Sequence, residues 1–171
     1  MDVSRRNLLV LSAASALLAI PAPLRAALPP AKATFGDDDL AVIAALARLF
    51  YGPGADALNV GEALQKTLGF LDESQQPVLA SLPSTFDLLS RVLVPTCGAF
   101  AELSEEAQAA AMEDWLQSPL PFRRQVGQAL RQLVLSHCYT NPAVHASIGY
   151  AGPWIGRFEL PVHELRFGEP E

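Results

Sequence analysis

Apolar residues recur along this chain at intervals of three and four positions, which is the spacing of amphipathic or buried helices. The first such segment, LAVIAALARLF at residues 40–50, is apolar on nearly every side, so we expect a central helix. Asp37 is the predicted N-cap, and Asp38 and Asp39 add negative charge where the helix dipole favours it. The helix is expected to end at the Gly-Pro-Gly sequence of residues 52–54.

The same spacing predicts five more helices. Ser104, followed by two glutamates, is a strong helix start, and Ser118-Pro119 places a serine cap before a proline at the first helical position. Asn141-Pro142 repeats that pattern and predicts a single helical turn, which Gly149 ends by taking a left-handed conformation. The five expected helices are residues 60–71, 74–82 and 83–94, one that follows Ser104, and one from 119 to 137.

Two of these helices have a face that we expect to be buried. In the helix after Ser104 the predicted interior residues are Ala107, Ala110, Ala111 and Trp115. In the last long helix they are Phe122, Val126, Leu130, Leu133 and His137. No alternating run is long enough to predict a strand. The predicted fold class is therefore all-α: a bundle of five or six helices over residues 36–150, followed by an irregular, extended C-terminal arm at residues 151–171.

The first 26 residues have the pattern of an export signal. Arg5 and Arg6 precede an apolar run at residues 8–20, which is well short of the about 20 residues that a spanning helix needs. A twin arginine before a modest apolar run is typical of the twin-arginine (Tat) route, which carries folded proteins, often with a cofactor loaded. We expect a periplasmic protein, with cleavage near Ala26 or an uncleaved anchor as alternatives, and a linker at residues 27–35.

The net negative charge of the chain limits the kinds of partner that it is expected to bind. Removal of residues 1–26 takes away three of the 12 basic and one of the 18 acidic side chains, which moves the net charge from −6 to −8. Nucleic-acid binding depends on neutralising phosphates, so an acidic chain of this kind is not expected to bind nucleic acid. The length of 171 residues, half of them hydrophobic, fits one domain with a substantial core.

Sequence motifs for cofactor or catalytic sites are absent. The chain has no G-x-G-x-x-G between a strand and a helix, no Walker loop, no G-x-S-x-G, no C-x-x-C and no H-E-x-x-H. We therefore predict no catalytic, cofactor-binding or metal-binding residues in this chain. The alternative is a nucleophile or metal ligand at Cys138 with His145 or His163, although neither pair has a typical ligand spacing.

The two cysteines are compatible with three states. Cys97 and Cys138 form a disulfide with each other, one of them forms a disulfide with a partner subunit, or both are small buried residues. Sequence separation does not decide between these states, because disulfide formation depends on geometry.

Aromatic residues, prolines and glycines are concentrated in HCYTNPAVHASIGYAGPW, residues 137–154. Tyr139, Tyr150 and Trp154 either cover the end of the bundle or form an interface, where tyrosine and tryptophan bury much area and keep a polar group. The following residues 155–167 alternate apolar and polar positions without a helical period and include Phe158. Because such an arm has little core of its own, we expect it to lie across something else.

This ending resembles that of the gluconate 2-dehydrogenase subunit 3 family, which has a Tat signal and a helical body rich in alanine and leucine. The motif that carries the resemblance consists of Tyr139, Pro142, Ile148-Gly149-Tyr150 and Gly152-Pro153-Trp154. The resemblance implies a small, non-catalytic subunit of a large FAD-dependent dehydrogenase of the glucose-methanol-choline type, often with a cytochrome c subunit. FAD would lie in the large subunit, and this chain would supply the export signal to the Tat translocase.

Residues expected to contact the large subunit are Tyr139, Tyr150, Pro153, Trp154 and Phe158. Two other functions are alternatives: a stand-alone periplasmic helical protein with an apolar ligand pocket, and an enzyme that uses Cys138.

Overall fold

A computed structural model describes residues 33–93 and 98–150, of which 77% are helical and none lie in strands. The predicted all-α fold class is confirmed. The α-helices are α1 (Asp37–Tyr51), α2 (Val60–Leu68), α3 (Gln76–Ala80), α4 (Leu82–Leu93), α5 (Glu105–Leu116), α6 (Pro121–Thr140) and α7 (Pro142–Ser147). Two 3-10 helices, Pro53–Leu58 and Phe100–Glu102, connect α1 to α2 and precede α5.

Helix α1 is central, as its apolar sequence predicts, and it contacts α2, α4, α5 and α6. The prediction of Asp37 as its N-cap is wrong, because the cap is Gly36, whose backbone is extended. Asp39 instead accepts the backbone N–H of Gly36 through Oδ2 at 2.9 Å, from inside the first helical turn. The acidic triplet therefore stabilises the start of α1, but through its third residue and not its first.

The largest side chains of the core meet where α4, α5 and the second 3-10 helix converge. Phe86, Phe100 and Trp115 are each at most 1% exposed. The ring centroid of Phe86 lies 5.0 Å from that of Phe100 and 4.9 Å from that of Trp115, in edge-to-face and tilted arrangements. Asp87 Oδ1 accepts the backbone N–H of Phe100 at 2.8 Å, which ties the 3-10 helix to α4.

Helix α5 begins after Ser104 as predicted, and Ser104 Oγ accepts the N–H of Ala107 at 3.3 Å. Its interior face differs from the prediction, because Ala110 is exposed and Ala107 and Ala111 are only half-buried. The buried residues are Gln108, Met112 and Trp115, so the prediction is confirmed for Trp115 and wrong for the alanines. Gln108 is tolerated there because its Nε2 donates to the carbonyls of Phe100 and Leu103, at 3.1 and 3.2 Å.

Helix α6 begins at Pro121, two residues later than predicted, with Leu120 as N-cap. Ser118 is buried and stabilises the turn before the helix. Its Oγ accepts hydrogen bonds from the N–H of Leu120 at 3.2 Å and from Arg123 Nη1 at 3.4 Å. The first helical residue is Pro121, whereas the sequence predicted Pro119 at that position. The predicted interior residues Phe122, Val126, Leu130 and Leu133 are buried, while His137 is half-buried.

The predicted helix at 60–71 ends at Leu68, and the helix predicted at 74–82 is the shorter α3, Gln76–Ala80. Phe35, the last residue of the expected linker, is buried and donates its N–H to Gln65 Oε1 at 3.3 Å. The predicted turn at 142–147 is confirmed, with Asn141 Oδ1 accepting the N–H of Ala143 at 3.0 Å and Gly149 at φ +66°.

Among residues 33–93 and 98–150, no helix combines the length and the apolar character that crossing a bilayer requires.

Candidate partner-binding surface

Three large hydrophobic side chains are exposed where α6 and α7 end. Tyr139 is 47% exposed, Ile148 55% and Tyr150 43%. Tyr139 and Tyr150 are two of the predicted contact residues, and Ile148 belongs to the same sequence motif. Because two of the three are tyrosines, we call Tyr139, Ile148 and Tyr150 together the aromatic cluster. Single exposed hydrophobic residues are common on protein surfaces, but a group of them is typical of interaction sites.

The rings of the aromatic cluster are held by contacts with neighbouring elements. Tyr139 packs edge-to-face on Tyr51 at the end of α1, with ring centroids 6.4 Å apart. His145 donates from Nε2 to the carbonyl of Tyr139 at 2.9 Å, and its ring lies 4.9 Å from that of Tyr150. The N–H of Tyr150 donates to the carbonyl of His145 at 2.8 Å. An interface built on rings that are already positioned loses little side-chain entropy on binding.

Tyr51 and His145 were not predicted as parts of this surface. Tyr51 lies far from Tyr139 in the sequence, so no local pattern connects the two rings. His145 was considered only as a partner of Cys138, whereas the structure places it between Tyr139 and Tyr150.

Other predicted functional residues lie outside the part of the chain that the structure describes. They are the export residues Arg5 and Arg6, the contact residues Pro153, Trp154 and Phe158, and the cysteine Cys97.

Cys138 is a free thiol with 0% exposure, on the inner side of α6. Burial raises the pKa of this thiol, which disfavours the thiolate that a nucleophile or a metal ligand needs. A fully buried sulfur is also out of reach of a cysteine in a partner subunit. Of the three states that the sequence allows, this environment favours a small buried residue for Cys138.

His137 links α6 to α2, a contact that the sequence did not predict. Its Nδ1 lies 2.8 Å from the carbonyl of Leu133 and donates to it, so in the neutral ring Nε2 is an acceptor. Thr67 Oγ1 lies 2.9 Å from Nε2 and 3.0 Å from the carbonyl of Ala63. The single hydroxyl proton of Thr67 therefore goes to His137 when the ring is neutral and to Ala63 when the ring is protonated.

Burial lowers the pKa of His137 below its ordinary value of 6.5, although the hydrogen bond to the Leu133 carbonyl opposes this effect. The unfolded ring then binds a proton at a higher pH than the folded ring does. The stability that neutral His137 contributes is complete above pH 6.5 and is lost as the pH falls below that value. We expect the free energy of unfolding in urea to decrease as the pH falls below 6.5, and His137→Gln to reduce this decrease.

The matched control is His145→Gln, which removes a surface imidazole and should leave the contribution of His137 to the pH dependence intact. The same pH dependence in His137→Gln as in the wild-type chain would contradict this assignment.

The stand-alone ligand-binding alternative requires a pocket between helices. A half-open cavity of about 250 Å³ lies between α1, the first 3-10 helix and α2, with Leu40, Ala44, Ala47, Ala55 and Val60 in its lining. This volume is below the range of about 300–1,000 Å³ that small-molecule sites usually have. Within the described ranges, no group of three or more His, Cys, Asp and Glu side chains is placed to hold a metal ion.

No protein-family model, curated protein or solved structure matches the chain. The resemblance to the gluconate 2-dehydrogenase subunit 3 family therefore stays a prediction from the sequence motif.

Proposed function

We propose that this protein is a non-catalytic accessory subunit of an exported flavin-dependent dehydrogenase that oxidises a sugar or a sugar acid. The chain binds the folded, FAD-containing large subunit, carries it to the Tat translocase through Arg5 and Arg6, and remains bound in the periplasm. A cytochrome c subunit is a further expected component of such a complex. FAD belongs to the large subunit in this proposal.

The observation that carries the proposal is the aromatic cluster. Tyr139, Ile148 and Tyr150 belong to the motif that resembles the family, yet they remain exposed instead of filling the core. Packing among the residues that the structure describes therefore does not account for large apolar side chains at these positions. Contact with another protein does, because tyrosine buries a large area there and keeps its hydroxyl hydrated or hydrogen-bonded.

The backbone of the motif supports the same proposal. Pro142 starts α7 and Gly149 ends it, so the two turn-forming residues place Tyr150 beside His145 and bring the chain out next to Tyr139. The contact residues Trp154 and Phe158 follow only a few positions later in the sequence. The described part of the motif thus brings Tyr139 and Tyr150 to the place where α6 and α7 end, on either side of His145.

The enzyme alternative has less support, because its candidate nucleophile Cys138 is fully buried and burial raises its pKa. Among the described residues, the cavity between α1 and α2 that this ligand-binding alternative would use has a volume of about 250 Å³, which is below the usual range for small-molecule sites.

Affinity purification from the native host tests the proposal. We expect the tagged mature chain to retain a large protein with a flavin absorption spectrum, identified by mass spectrometry. Trp154→Ala should weaken this complex by about 2 kcal/mol or more, as is usual for an aromatic residue at the centre of an interface.

The matched control is Phe70→Ala, since Phe70 is an exposed ring (69%) that lies outside the aromatic cluster. Recovery of the mature chain without any flavoprotein would contradict the proposal, and so would a purified chain that binds flavin or oxidises a sugar alone. An unchanged dissociation constant for Trp154→Ala would remove this residue from the interface.

A further inference from the structure

One long segment of this acidic chain contains no acidic residues. Asp and Glu occur 18 times in the sequence, yet none occurs between Trp115 and Phe158. This part includes all of α6 and α7, and its basic residues within the described ranges are Arg123, Arg124 and Arg131. A surface built from these two helices therefore has the opposite sign of charge to the protein as a whole.

The arginine at the middle of α6 differs from the other basic residues of the described ranges. Ion pairs join Arg48 to Asp56, Lys66 to Glu62, Arg91 to Asp87 and Arg123 to Asp114. Arg124 donates to the carbonyl of Ser118. Arg131 is exposed and has no ion pair or side-chain hydrogen bond with any residue that the structure describes.

The neighbours of Arg131 form a continuous stripe that reaches the aromatic cluster. Positions three, four and seven apart lie on the same side of a helix. The stripe consists of Gln128, Arg131, Gln132, Leu135, Ser136 and Tyr139, which line a shallow groove on the outside of α6. Its residues are neutral or basic, with the charge at the centre and an aromatic ring at the end that is shared with the aromatic cluster.

We propose that this outer stripe of α6 extends the partner-binding surface, and that the large subunit presents a carboxylate to Arg131. The inference rests on the proposed function and specifies the chemistry of the partner. Charge complementarity supports an acidic occupant, and Tyr139 makes the stripe continuous with the aromatic cluster. A guanidinium donates two parallel N–H···O bonds to a carboxylate, and the side-chain amides of Gln128 and Gln132 can donate to the same carboxylate.

Charge reversal on the stripe tests this inference. With the flavoprotein captured by the tagged chain, we expect Arg131→Glu to raise the dissociation constant about tenfold or more at low salt, mainly through slower association. The affinity of the variant should also depend less on salt than that of the wild type, because screening acts on the lost attraction. The matched control is Lys66→Glu, which reverses an exposed cation on α2 and should have little effect.

A conservative variant provides the second measurement, which holds even if the charge reversal disturbs folding. Arg131→Lys keeps the positive charge and introduces an amine that a zero-length carbodiimide reagent joins to a carboxylate in direct contact. We expect mass spectrometry to find a cross-link from position 131 to an Asp or Glu of the flavoprotein. The wild-type chain, treated in the same way, should lack this cross-link.

Other occupants of the stripe give different results. A cross-link from position 131 to Glu159, Glu164, Glu169 or Glu171 of the same molecule, or to a second copy of this chain, would overturn the inference. So would a captured flavoprotein whose affinity and salt dependence are unchanged by Arg131→Glu, while the proposed function would then still hold. If the wild-type chain captures no flavoprotein, both the proposed function and this inference are wrong.

Discussion

Phe86→Ala is expected to lower the free energy of unfolding by about 3–5 kcal/mol, because it removes a fully buried ring from the centre of the core. Phe86 lies within 5.0 Å, centroid to centroid, of both Phe100 and Trp115, so its removal leaves a cavity lined by two other rings. Neither ring can fill this cavity easily, since both are themselves fully packed. Since small domains are stable by only about 5–15 kcal/mol, this one change removes a large part of the total.

Urea unfolding followed by circular dichroism measures this effect. Val92→Ala is the control, because it truncates an apolar side chain on the same helix at a position that is 61% exposed, and a change within about 0.5 kcal/mol is expected. Equal losses in the two variants would show that Phe86 does not hold the core together as described.

Asp114→Ala is expected to destabilise the protein by about 3 kcal/mol, although Asp114 itself is half-exposed. The reason lies in its partner. Arg123 is only 7% exposed, forms an ion pair with Asp114 and stacks over Trp115 at 5.0 Å from the ring centroid. Removing the carboxylate leaves a buried guanidinium without a compensating charge, which costs more than the loss of a surface pair.

The double variant Asp114→Ala with Arg123→Met separates the two costs. Methionine keeps much of the apolar stem over Trp115 and removes the buried charge, so the double variant should be more stable than Asp114→Ala alone. Denaturation curves of the two single variants and the double variant give the coupling energy. Additive losses would show that Arg123 and Asp114 act independently.

The helix boundaries show where sequence reasoning succeeds. Ser104 caps α5, and Asn141 and Gly149 bound α7, since each of these signals is local and depends on one or two hydrogen bonds of the chain with itself. The predicted start of α6 at Ser118-Pro119 was wrong, although serine is a preferred cap and leucine is not, because the helix begins at Pro121 after Leu120. A tertiary contact explains the later start. Ser118 is buried, and its hydroxyl oxygen accepts hydrogen bonds from Arg123 Nη1 and from the Leu120 N–H in the turn before the helix.

The prediction for the buried face of α5 was correct for Trp115 and wrong for the three alanines, for a different physical reason. Alanines predict no face strongly, because they are small on every side of the helix. In the structure Gln108, Met112 and Trp115 face the interior. Gln108 can be buried there because its side-chain amide donates hydrogen bonds to two backbone carbonyls. Gly127 on α6 brings that helix close to α5: a Cβ at this position would lie 3.3 Å from Leu116 Cδ2 and 3.4 Å from Trp115 Cβ.

For the candidate site, the sequence named Tyr139 and Tyr150 because rings, prolines and glycines are concentrated around them. It did not identify Tyr51 under Tyr139, Thr67 beside His137 or the unpaired charge of Arg131 among the described residues. Each of these depends on which residues of distant helices, or of successive turns on one side of α6, lie near one another.

By itself, the sequence determined the all-α class, the central place of α1 and the local ends of several helices. These features follow from the spacing of apolar residues and from capping, which act within one or two helical turns. Only the tertiary structure decided which helix faces are buried, where Cys138 and His137 lie, and which side chains remain exposed as a surface. Those outcomes depend on packing between segments that are far apart in the chain, where several arrangements satisfy the same local pattern equally well.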